Sequence, residues 1–343
     1  MTKRTEPALV LFRSCTRTAA AYVRRRVNVG MRLDSPAERF CTAMTVATLA
    51  STPRLLMCPP QHFAVTYSIN PWMDPAKWAD DGTALQARAA QQWMALHAAL
   101  LEAGAMIETV PPLEGAPDLV FTANAAVVLD GKALLARFRH PERQCEEPVF
   151  AAGFRALAAR SLIDKVIELP RGIALEGAGD CLWDRTRALF WMGCGFRSDE
   201  AAAREVQAAF GVPCIPLRLS EASYYHLDTA MCALPCGGVI YYPGAFTPFA
   251  RDMIHAHVVP ADRIPLTPED AARFAANAVV VGRNIVLSSC SAALRRTLEE
   301  RGYHVIETPL DAFQRSGGSA CCLTLRLDHY SQAAQEQRVR RVG

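Results

Sequence analysis

Near its carboxyl end the chain carries two adjacent cysteines shortly after a pair of glycines. Gly317 and Gly318 begin this stretch, Cys321 and Cys322 follow, and the apolar residues 323–325 predict a strand. Glycines allow another backbone or a substrate to approach closely. Because free cysteine is among the most buried residue types, two structural thiols are one interpretation of this pattern. A nucleophilic thiolate is the other.

A histidine and an aspartate stand two positions apart in the middle of the chain. His226 and Asp228 lie in a segment that we predict to be a strand, where alternate side chains face the same way. A single histidine is most often structural. A His-x-Asp pair that faces a pocket together with a cysteine is instead a candidate acid/base beside a nucleophile.

Two further carboxylates, Glu176 and Asp180, flank a glycine-rich turn. They can cap the turn, or they can point inward around one cation. A pocket lined in this way is anionic and favours a flat cation with several donors, and guanidinium fits bidentate carboxylates best. A bound guanidinium would also favour the thiolate of Cys322 through its charge.

Length and composition narrow the class of protein. The 343 residues, of which 51% are hydrophobic and 21% charged, are typical of a soluble globular protein with one large core or two ordinary ones. A net charge of +3 gives no reason to expect a nucleic-acid partner, and no apolar run reaches the roughly 18 residues of a membrane helix. The 12 cysteines form no C-x-x-C pair, which argues against a zinc ribbon and predicts a reduced, cytoplasmic protein.

The elements that must position these residues recur along the chain. After a predicted helix at 83–102, hairpin turns fall near residues 130, 184, 237 and 283, at intervals of about 46 to 54 residues. Each hairpin is followed by a helix pattern and one more strand. Together with an irregular first unit and a terminal strand, these repeats predict five units that close a ring. We predict one catalytic domain at 53–330, a basic and disordered extension or over-long start at 1–52 with targeting as the alternative, and a polar tail at 331–343.

Segments with chemically reactive or polar residues recur at one position of each unit, immediately before the hairpin. In a closed ring, equivalent positions of successive units converge on the axis. The segments at these positions are 121–124, 176–180, 225–228, 276–277 and the glycine and cysteine pairs at 317–322. The sequence therefore predicts that a thiol, an imidazole and several carboxylates from separate units meet in one pocket.

From about Pro53 to Asp328 the chain resembles the guanidino-group-modifying enzymes of the pentein superfamily. These include arginine deiminases, dimethylargininases, amidinotransferases and arginine dihydrolases. The matching motifs, in chain order, are Met57-Cys58-Pro59-Pro60, Ile69-Asn70-Pro71-Trp72, Pro117-Asp118, Phe121-Thr122-Ala123-Asn124, Glu176 to Asp180, His226-Leu227-Asp228 and Gly317 to Cys322. The resemblance implies an α/β fold, a five-bladed ββαβ propeller, and a hydrolase of arginine or N-methylated arginine.

The resemblance also implies roles for single residues. Cys322 matches the family's nucleophile, His226 its general acid/base, and Glu176 the guanidinium-binding carboxylate that shuttles protons. Other positions matching substrate-binding residues are Asn70, Asp118, Asn124, Asp180 and Asp228. Arg143 and Arg197 fall where the family holds the substrate α-carboxylate, with a solvated surface charge as the alternative for each. The implied intermediate is a thiouronium on the cysteine sulfur, and no metal or organic cofactor is expected.

Asn124 separates the chain from some of these relatives, because deiminases and dimethylargininases carry an acidic residue there. Asparagine at this position resembles the arginine dihydrolases, and its amide can donate to the neutral ureido oxygen of citrulline, which a carboxylate would repel. An amidinotransferase, with an amine acceptor in place of water, is an alternative. A ribosome-associated translation initiation factor with the same propeller, a binding module, is another. We also expect a small-molecule guanidino substrate, with a homo-oligomer as a possibility.

Overall fold

Five three-stranded sheets account for the β-structure in the computed structural model, which describes residues 52–342. The predicted extension at 1–52 therefore lies outside the described residues, apart from its last position. In chain order the strands are β1 (Arg54–Met57), β2 (Met106–Thr109), β3 (Ala126–Leu129), β4 (Lys132–Leu135), β5 (Lys165–Ile167), β6 (Cys181–Asp184), β7 (Leu189–Cys194), β8 (Cys214–Arg218), β9 (Met231–Ala233), β10 (Val239–Tyr241), β11 (Arg263–Pro265), β12 (Val279–Val281), β13 (Asn284–Leu287), β14 (His304–Glu307) and β15 (Leu325–Arg326).

Twelve α-helices occur in the same part of the chain. They are α1 (Pro75–Asp80), α2 (Gly82–Glu102), α3 (Pro141–Gln144), α4 (Glu147–Ala159), α5 (Gly177–Asp180), α6 (Ala202–Phe210), α7 (Leu227–Ala230), α8 (Pro248–His257), α9 (Pro268–Ala272), α10 (Ala292–Glu300), α11 (Asp311–Gln314) and α12 (Gln332–Val342). Short 3₁₀ helices lie at Pro117–Val120, Thr122–Ala125, Ala222–Tyr224, Pro243–Ala245 and Pro260–Asp262. The helix predicted at 83–102 is confirmed as α2, and the polar tail predicted at 331–343 contains α12.

Four sheets repeat one pattern. An antiparallel hairpin is followed by a helix, and the chain then returns as a third strand parallel to the second, as in β3, β4, α4 and β5. The turn between β3 and β4 shows why the hairpin forms: Asp130 has φ 54° and Gly131 has φ 72°, the left-handed pair that an Asp-Gly hairpin turn requires. The predicted repeat is therefore confirmed.

The fifth sheet joins the two ends of the domain. Its order is β15–β1–β2, with β15 antiparallel to β1 and β2 parallel to β1. Leu55 pairs with Arg326 and Leu56 with Leu325, so the strand nearest the carboxyl end completes the unit that the first strand begins. This pairing closes the ring of five units that the repeats predict.

Helix α2 shows how each unit buries its apolar face. Leu85, Ala89, Leu96 and Leu100 are buried, at the spacing of one helical stripe, against the sheet that contains β1. Leu96 is 0% exposed, and burying such a side chain contributes about 1.5–3 kcal/mol. The described helices do not include one long and apolar enough to cross a membrane.

Two of the predicted strands differ from those observed. His226 does not begin a strand: it is the N-cap of the four-residue helix α7, and Thr229 donates through both its backbone N and its Oγ1 to the His226 carbonyl. Asp180 also accepts a hydrogen bond from the Leu227 backbone N, so contacts between units override the local pattern. The strand after Cys322 begins at Leu325, which leaves both cysteines in the preceding turn.

Replacement of Gly318 by alanine should destabilise the turn that carries Cys322. A Cβ atom there would overlap the buried ring of Phe121, so the ring or the turn must move, and overpacking of this kind costs about 1–3 kcal/mol. Gly82→Ala is the matched control, because its nearest side-chain atom would be 3.7 Å away. Urea unfolding measures both. Equal stability of the two variants would contradict the expected clash.

Candidate active site

Cys322 lies in the turn between α11 and β15 and is 3% exposed. Its Sγ donates to Asp228 Oδ2 at 3.0 Å, and Asn277 Nδ2 donates to Sγ at 3.0 Å. The cysteine is therefore held by a carboxylate from the third unit and an amide from the fourth. Side chains from three separate units thus meet at the cysteine, and of the predicted partners Asp228 contacts it directly.

Asn277 is a site residue to which the sequence analysis assigned no role. Its Oδ1 accepts from the Cys322 backbone N at 3.2 Å, while its Nδ2 also lies 3.0 Å from the Asp228 carbonyl oxygen. The side chain is 0% exposed, so it braces the cysteine from a rigid position. The signal available in the sequence was its place immediately before the fourth hairpin, equivalent to the other site segments.

The environment of Cys322 disfavours charge on both partners in the absence of a ligand. Burial raises the pKa of the Cys322 thiol well above its ordinary value, and the nearby Asp228 carboxylate raises it further. Burial also raises the pKa of Asp228 to about 7, although Cys322 and Asn277 both donate to it. Asp228 Oδ1 is buried and has no hydrogen-bond partner among the described residues. Asp228 Oδ1 can therefore accept a hydrogen bond from a further donor.

His226 and Glu176 form the second part of the site. His226 Nε2 lies 2.7 Å from Glu176 Oε2, and the same oxygen accepts from Arg197 Nη1 at 3.0 Å. All three side chains are at most 2% exposed. An ionised carboxylate only accepts hydrogen bonds, so the Nε2 atom of the histidine carries the proton and its Nδ1 is left as a lone-pair acceptor.

The pKa values of Glu176 and His226 both lie below their ordinary values, but for different reasons. Burial alone would raise the pKa of Glu176, but the Arg197 guanidinium and the hydrogen bond from His226 outweigh it and hold that pKa below its ordinary value. Burial lowers the pKa of His226 to about 4, against the opposing effect of Glu176. Near neutral pH the pair is an ionised carboxylate and a neutral imidazole, which can act as a base.

Asp180 lies in the same cluster, but its two oxygens are already bonded to the protein. Oδ2 accepts from Ser198 Oγ at 2.6 Å, and Oδ1 accepts from the Leu227 backbone N at 3.0 Å. Burial raises the pKa of Asp180 well above its ordinary value. The structure therefore gives Asp180 a contact that ties α5 to α7, close to the predicted pocket.

Asn124 and Arg143 form a buried clamp beside Glu176. Asn124 Nδ2 donates to the Glu176 carbonyl oxygen at 3.0 Å, and Asn124 Oδ1 accepts from Arg143 Nη1 at 2.9 Å. Arg143 is 3% exposed and pairs with Glu146 through two bonds of 2.8 Å. Its Nη2 also donates to the Asp118 carbonyl oxygen at 3.1 Å. The alternative of a solvated surface charge is therefore wrong for Arg143, and equally for the buried Arg197.

The remaining predicted residues lie where the segment between β1 and α1 packs on the glycine pair. Asn70 Nδ2 donates to the Ser316 carbonyl oxygen at 3.0 Å. The side chain of Asp118 accepts from Ser316 Oγ at 3.0 Å and from Tyr67 at 2.9 Å. The Ile69 carbonyl in this segment accepts from Arg197. Asn70 and Asp118 thus hold the cysteine turn against this segment, next to the arginine of the site.

The ten predicted site residues divide into three groups. Cys322 and Asp228 form the thiol centre, and Glu176, His226 and Arg197 form a hydrogen-bonded cluster of a carboxylate, an imidazole and a guanidinium. Around these lie Asn70, Asp118, Asn124, Arg143 and Asp180, which bond to other site groups or to the segments that carry them. Within residues 52–342 no group of three or more histidine, cysteine or carboxylate side chains is arranged to hold a metal ion.

Comparison with known proteins places this chain in a family. Residues 60–328 match the family model described as eukaryotic N,N dimethylarginine dimethylhydrolase. The N(G),N(G)-dimethylarginine dimethylaminohydrolase of Mycobacterium tuberculosis is 36% identical over 296 residues, which cover 86% of this chain and 90% of that protein.

Two comparisons concern arginine dihydrolases. The bifunctional arginine dihydrolase/ornithine cyclodeaminase AgrE of Nostoc sp. is 41% identical over 279 residues, 81% of this chain, and the match spans 38% of the length of that relative. The crystal structure of the N-terminal domain of the arginine dihydrolase ArgZ, bound to its substrate, superimposes with a TM-score of 0.75 at 40% identity. That match covers 81% of this chain and 99% of the domain, and it confirms the predicted propeller fold. The chain belongs to the family of dimethylarginine dimethylaminohydrolases, within the guanidino-group-modifying pentein enzymes.

Proposed function

We propose that the protein is a cysteine-dependent hydrolase that converts arginine through citrulline to ornithine. The observation that carries the proposal is the buried Asp228 Oδ1 atom, which has no donor among the described residues and lies on the carboxylate that accepts from Cys322. A buried acceptor without a partner costs about 1–3 kcal/mol, so a donor supplied by the substrate is favoured there. Guanidinium supplies paired donors and a positive charge.

The substrate itself supports activation of the nucleophile. In the free protein, burial and the charge of Asp228 hold the pKa of the Cys322 thiol high. A guanidinium bound to Asp228 neutralises that carboxylate and adds a cation beside the sulfur, which lowers the thiol pKa. The thiolate then forms only when substrate is present, which suits a cysteine that must not react with other electrophiles.

His226 and Glu176 provide the proton transfers. The Cys322 thiol gives its proton to His226 as its sulfur bonds to the guanidinium carbon. A C–N bond then breaks, and His226 passes that proton to the departing nitrogen, which leaves as ammonia. The neutral imidazole then accepts a proton from water, the resulting hydroxide attacks the thiouronium carbon, and the C–S bond breaks to give citrulline and the free thiol. Glu176 stabilises the imidazolium that forms transiently, at 2.7 Å.

The two arginines differ in their capacity to bind a substrate carboxylate. Four of the five N–H groups of Arg143 are used by Glu146, Asn124 and the Asp118 carbonyl. Arg197 uses two, toward Glu176 and the Ile69 carbonyl, and its guanidinium stacks 4.5 Å above the Tyr225 ring. We therefore assign the α-carboxylate contact to Arg197. Arg143 takes the role of positioning Asn124.

Asn124 supports the second hydrolysis. Of its two amide N–H groups, one donates to the Glu176 carbonyl oxygen, which leaves one for a ureido oxygen. Arg143 fixes the orientation of the amide by donating to its Oδ1. Citrulline held there reacts again: the thiolate displaces ammonia from the ureido carbon, and water releases a carbamate that decomposes to ornithine and carbon dioxide. The balance is one arginine and two waters to one ornithine, one carbon dioxide and two ammonia.

Product analysis tests the proposal. The protein is incubated separately with arginine and with asymmetric dimethylarginine, and amino acids and ammonia are quantified over time. Two ammonia for each ornithine is the expected result with arginine. Citrulline that accumulates in proportion to the arginine consumed would overturn the two-step proposal, and turnover of dimethylarginine alone would identify a dimethylargininase. Addition of glycine or lysine as amine acceptors detects an amidinotransferase.

Substrate affinity should depend on pH through Asp228. Because its pKa is about 7, the carboxyl is about one-tenth ionised at pH 6 and mostly ionised at pH 8, so KM for arginine should fall by about tenfold over this range. Asp228→Asn should raise KM and remove this pH dependence, since an amide does not titrate. Steady-state kinetics at each pH measure both. Asp252→Asn, which alters an exposed carboxylate on α8, is the control, and a wild-type KM that does not change with pH would contradict the prediction.

A cytoplasmic location is supported by the cysteines. The ten cysteines within the described residues are all free, which is typical of a reducing compartment. The expected homo-oligomer stays a prediction, and sedimentation analysis of the purified chain would test it.

A further inference from the structure

A cavity lies between the first hairpin strands of the five sheets, and it extends from beside the catalytic turn toward the hairpin turns. Its volume is about 200 Å³, and residues from all five sheets line it. Each first hairpin strand runs from the active-site segments toward its turn. Residues near those turns, such as Leu234 and Pro235, line one end of the cavity, and Ala123, Ala178 and Cys321 line the other. We name it the axial cavity.

The walls of the axial cavity are apolar. Val127, Met231, Ala278, Val279 and Leu325 contribute aliphatic surface, and the cavity reaches Cys321, the neighbour of the nucleophile. An apolar cavity of about 150 Å³ is large enough to bind benzene, so this one can hold a body of about six to eight carbons. The walls alone select a hydrophobic molecule.

The basic side chains in the lining of the axial cavity favour a negatively charged ligand. Arg185, Arg326 and His329 line the cavity, and its lining contains no aspartate or glutamate. Arg326 pairs with Asp328, whereas Arg185 forms no ion pair among the described side chains and donates only to the neutral Gln335, at 2.8 Å. Burial lowers the pKa of Arg185, and the charge of Arg326 lowers it further, so the two cations repel each other. An anion between them would relieve that repulsion.

A buried donor adds to this preference. Trp183 also lines the cavity, is 8% exposed, and its indole N–H has no acceptor among the described residues. An unpaired buried donor costs about 1–3 kcal/mol and favours a ligand that brings an acceptor. The axial cavity therefore combines apolar walls, an unpaired cation and an unpaired donor.

We propose that the axial cavity is a second binding site, for a small monocarboxylate with an apolar body of about six to eight carbons. Its carboxylate pairs with Arg185 and its hydrocarbon part fills the cavity. The site is separate from the guanidino site, because its lining includes none of the catalytic residues Cys322, His226 or Glu176. The proposal does not depend on the reaction that the protein catalyses.

Calorimetric titration of the full chain with hexanoate tests the proposal, with 1-hexanol and hexylamine as neutral and cationic probes of the same length. Hexanoate should bind, hexanol more weakly and hexylamine not at all. Arg185→Gln should raise the Kd for hexanoate by about three- to fivefold, because it removes the unpaired charge of a partly solvent-exposed side chain. Arg204→Gln, at an exposed position on α6, is the matched control and should leave the Kd unchanged.

A cavity-filling variant locates the site. Ala233 lines the cavity and is only half-buried, so Ala233→Leu should occupy the cavity and abolish binding without loss of the fold, which thermal unfolding checks. Hexanoate that is displaced by saturating ornithine, or that binds Ala233→Leu and Arg185→Gln as tightly as wild type, would overturn the proposal. Absence of hexanoate binding to the wild-type chain would overturn it as well.

Discussion

Replacement of Cys322 by serine should lower kcat for arginine by about 10⁴-fold or more, which is the scale of effect when a catalytic nucleophile is removed. The serine hydroxyl is a much weaker nucleophile near neutral pH, and the bound guanidinium cannot ionise it as it can a thiol. The side chain is nearly isosteric and can still donate to Asp228, so the fold should persist. Measured ammonia release gives the rate, and thermal unfolding checks the fold.

The adjacent cysteine supplies the matched control. Cys321 lines the axial cavity and forms no side-chain hydrogen bond to the catalytic cluster that the structure records, so Cys321→Ser should keep most of the activity. Mass spectrometry of the intact protein, quenched during turnover, should detect a covalent adduct on wild type and Cys321→Ser but not on Cys322→Ser. Equal loss of activity in the two variants would exclude Cys322 as the nucleophile of the reaction.

Replacement of Glu176 by glutamine should damage both activity and stability. The change leaves the Arg197 guanidinium, 2% exposed, without its counter-ion, and loss of one partner of a buried pair costs about 3–5 kcal/mol. The same change removes the carboxylate that accepts from His226, so the proton transfers should slow by about 10²–10⁴-fold. Urea unfolding and steady-state kinetics measure the two effects.

An exposed ion pair provides the control for this prediction. Glu200 pairs with Arg218 at 3.2 Å, but both side chains are about 60% exposed, and such pairs contribute only about 0–1 kcal/mol. Glu200→Gln should therefore change neither stability nor kcat appreciably. If Glu176→Gln unfolded at the same urea concentration as Glu200→Gln, the buried Glu176–Arg197 pair would not contribute the expected stability.

The fold could be predicted from the sequence because each unit carries strong local signals. The Asp130-Gly131 turn predicts a hairpin and the apolar stripe of α2 predicts a helix, each from residues close together in the sequence. The repetition of such units predicts a ring. The helix α7 could not be predicted in this way. Its first turn depends on a hydrogen bond from the Leu227 backbone N to Asp180, a residue 47 positions away, and no local pattern reports such a contact.

The residue types of the site could be predicted from the sequence, but their hydrogen-bond partners could be predicted only in part. Cys322, His226, Glu176 and Asp228 are chemically distinctive and stand at equivalent positions, so their convergence follows from ring closure. Asn277 stands at such a position too, but an amide is common in turns and carries no chemistry of its own. Its role becomes visible only when its distances to the cysteine are known.

The pairing of β15 with β1 affects the order in which the parts of the proposed active site form. The two strands are about 270 positions apart, and contacts of such separation form late because a long stretch of chain must be ordered first. Cys322 precedes the first residue of β15 by three positions. On the ribosome, the segments that carry His226, Glu176 and Asp228 are therefore synthesised before Cys322, and the proposed active site is complete only after the last sheet has formed.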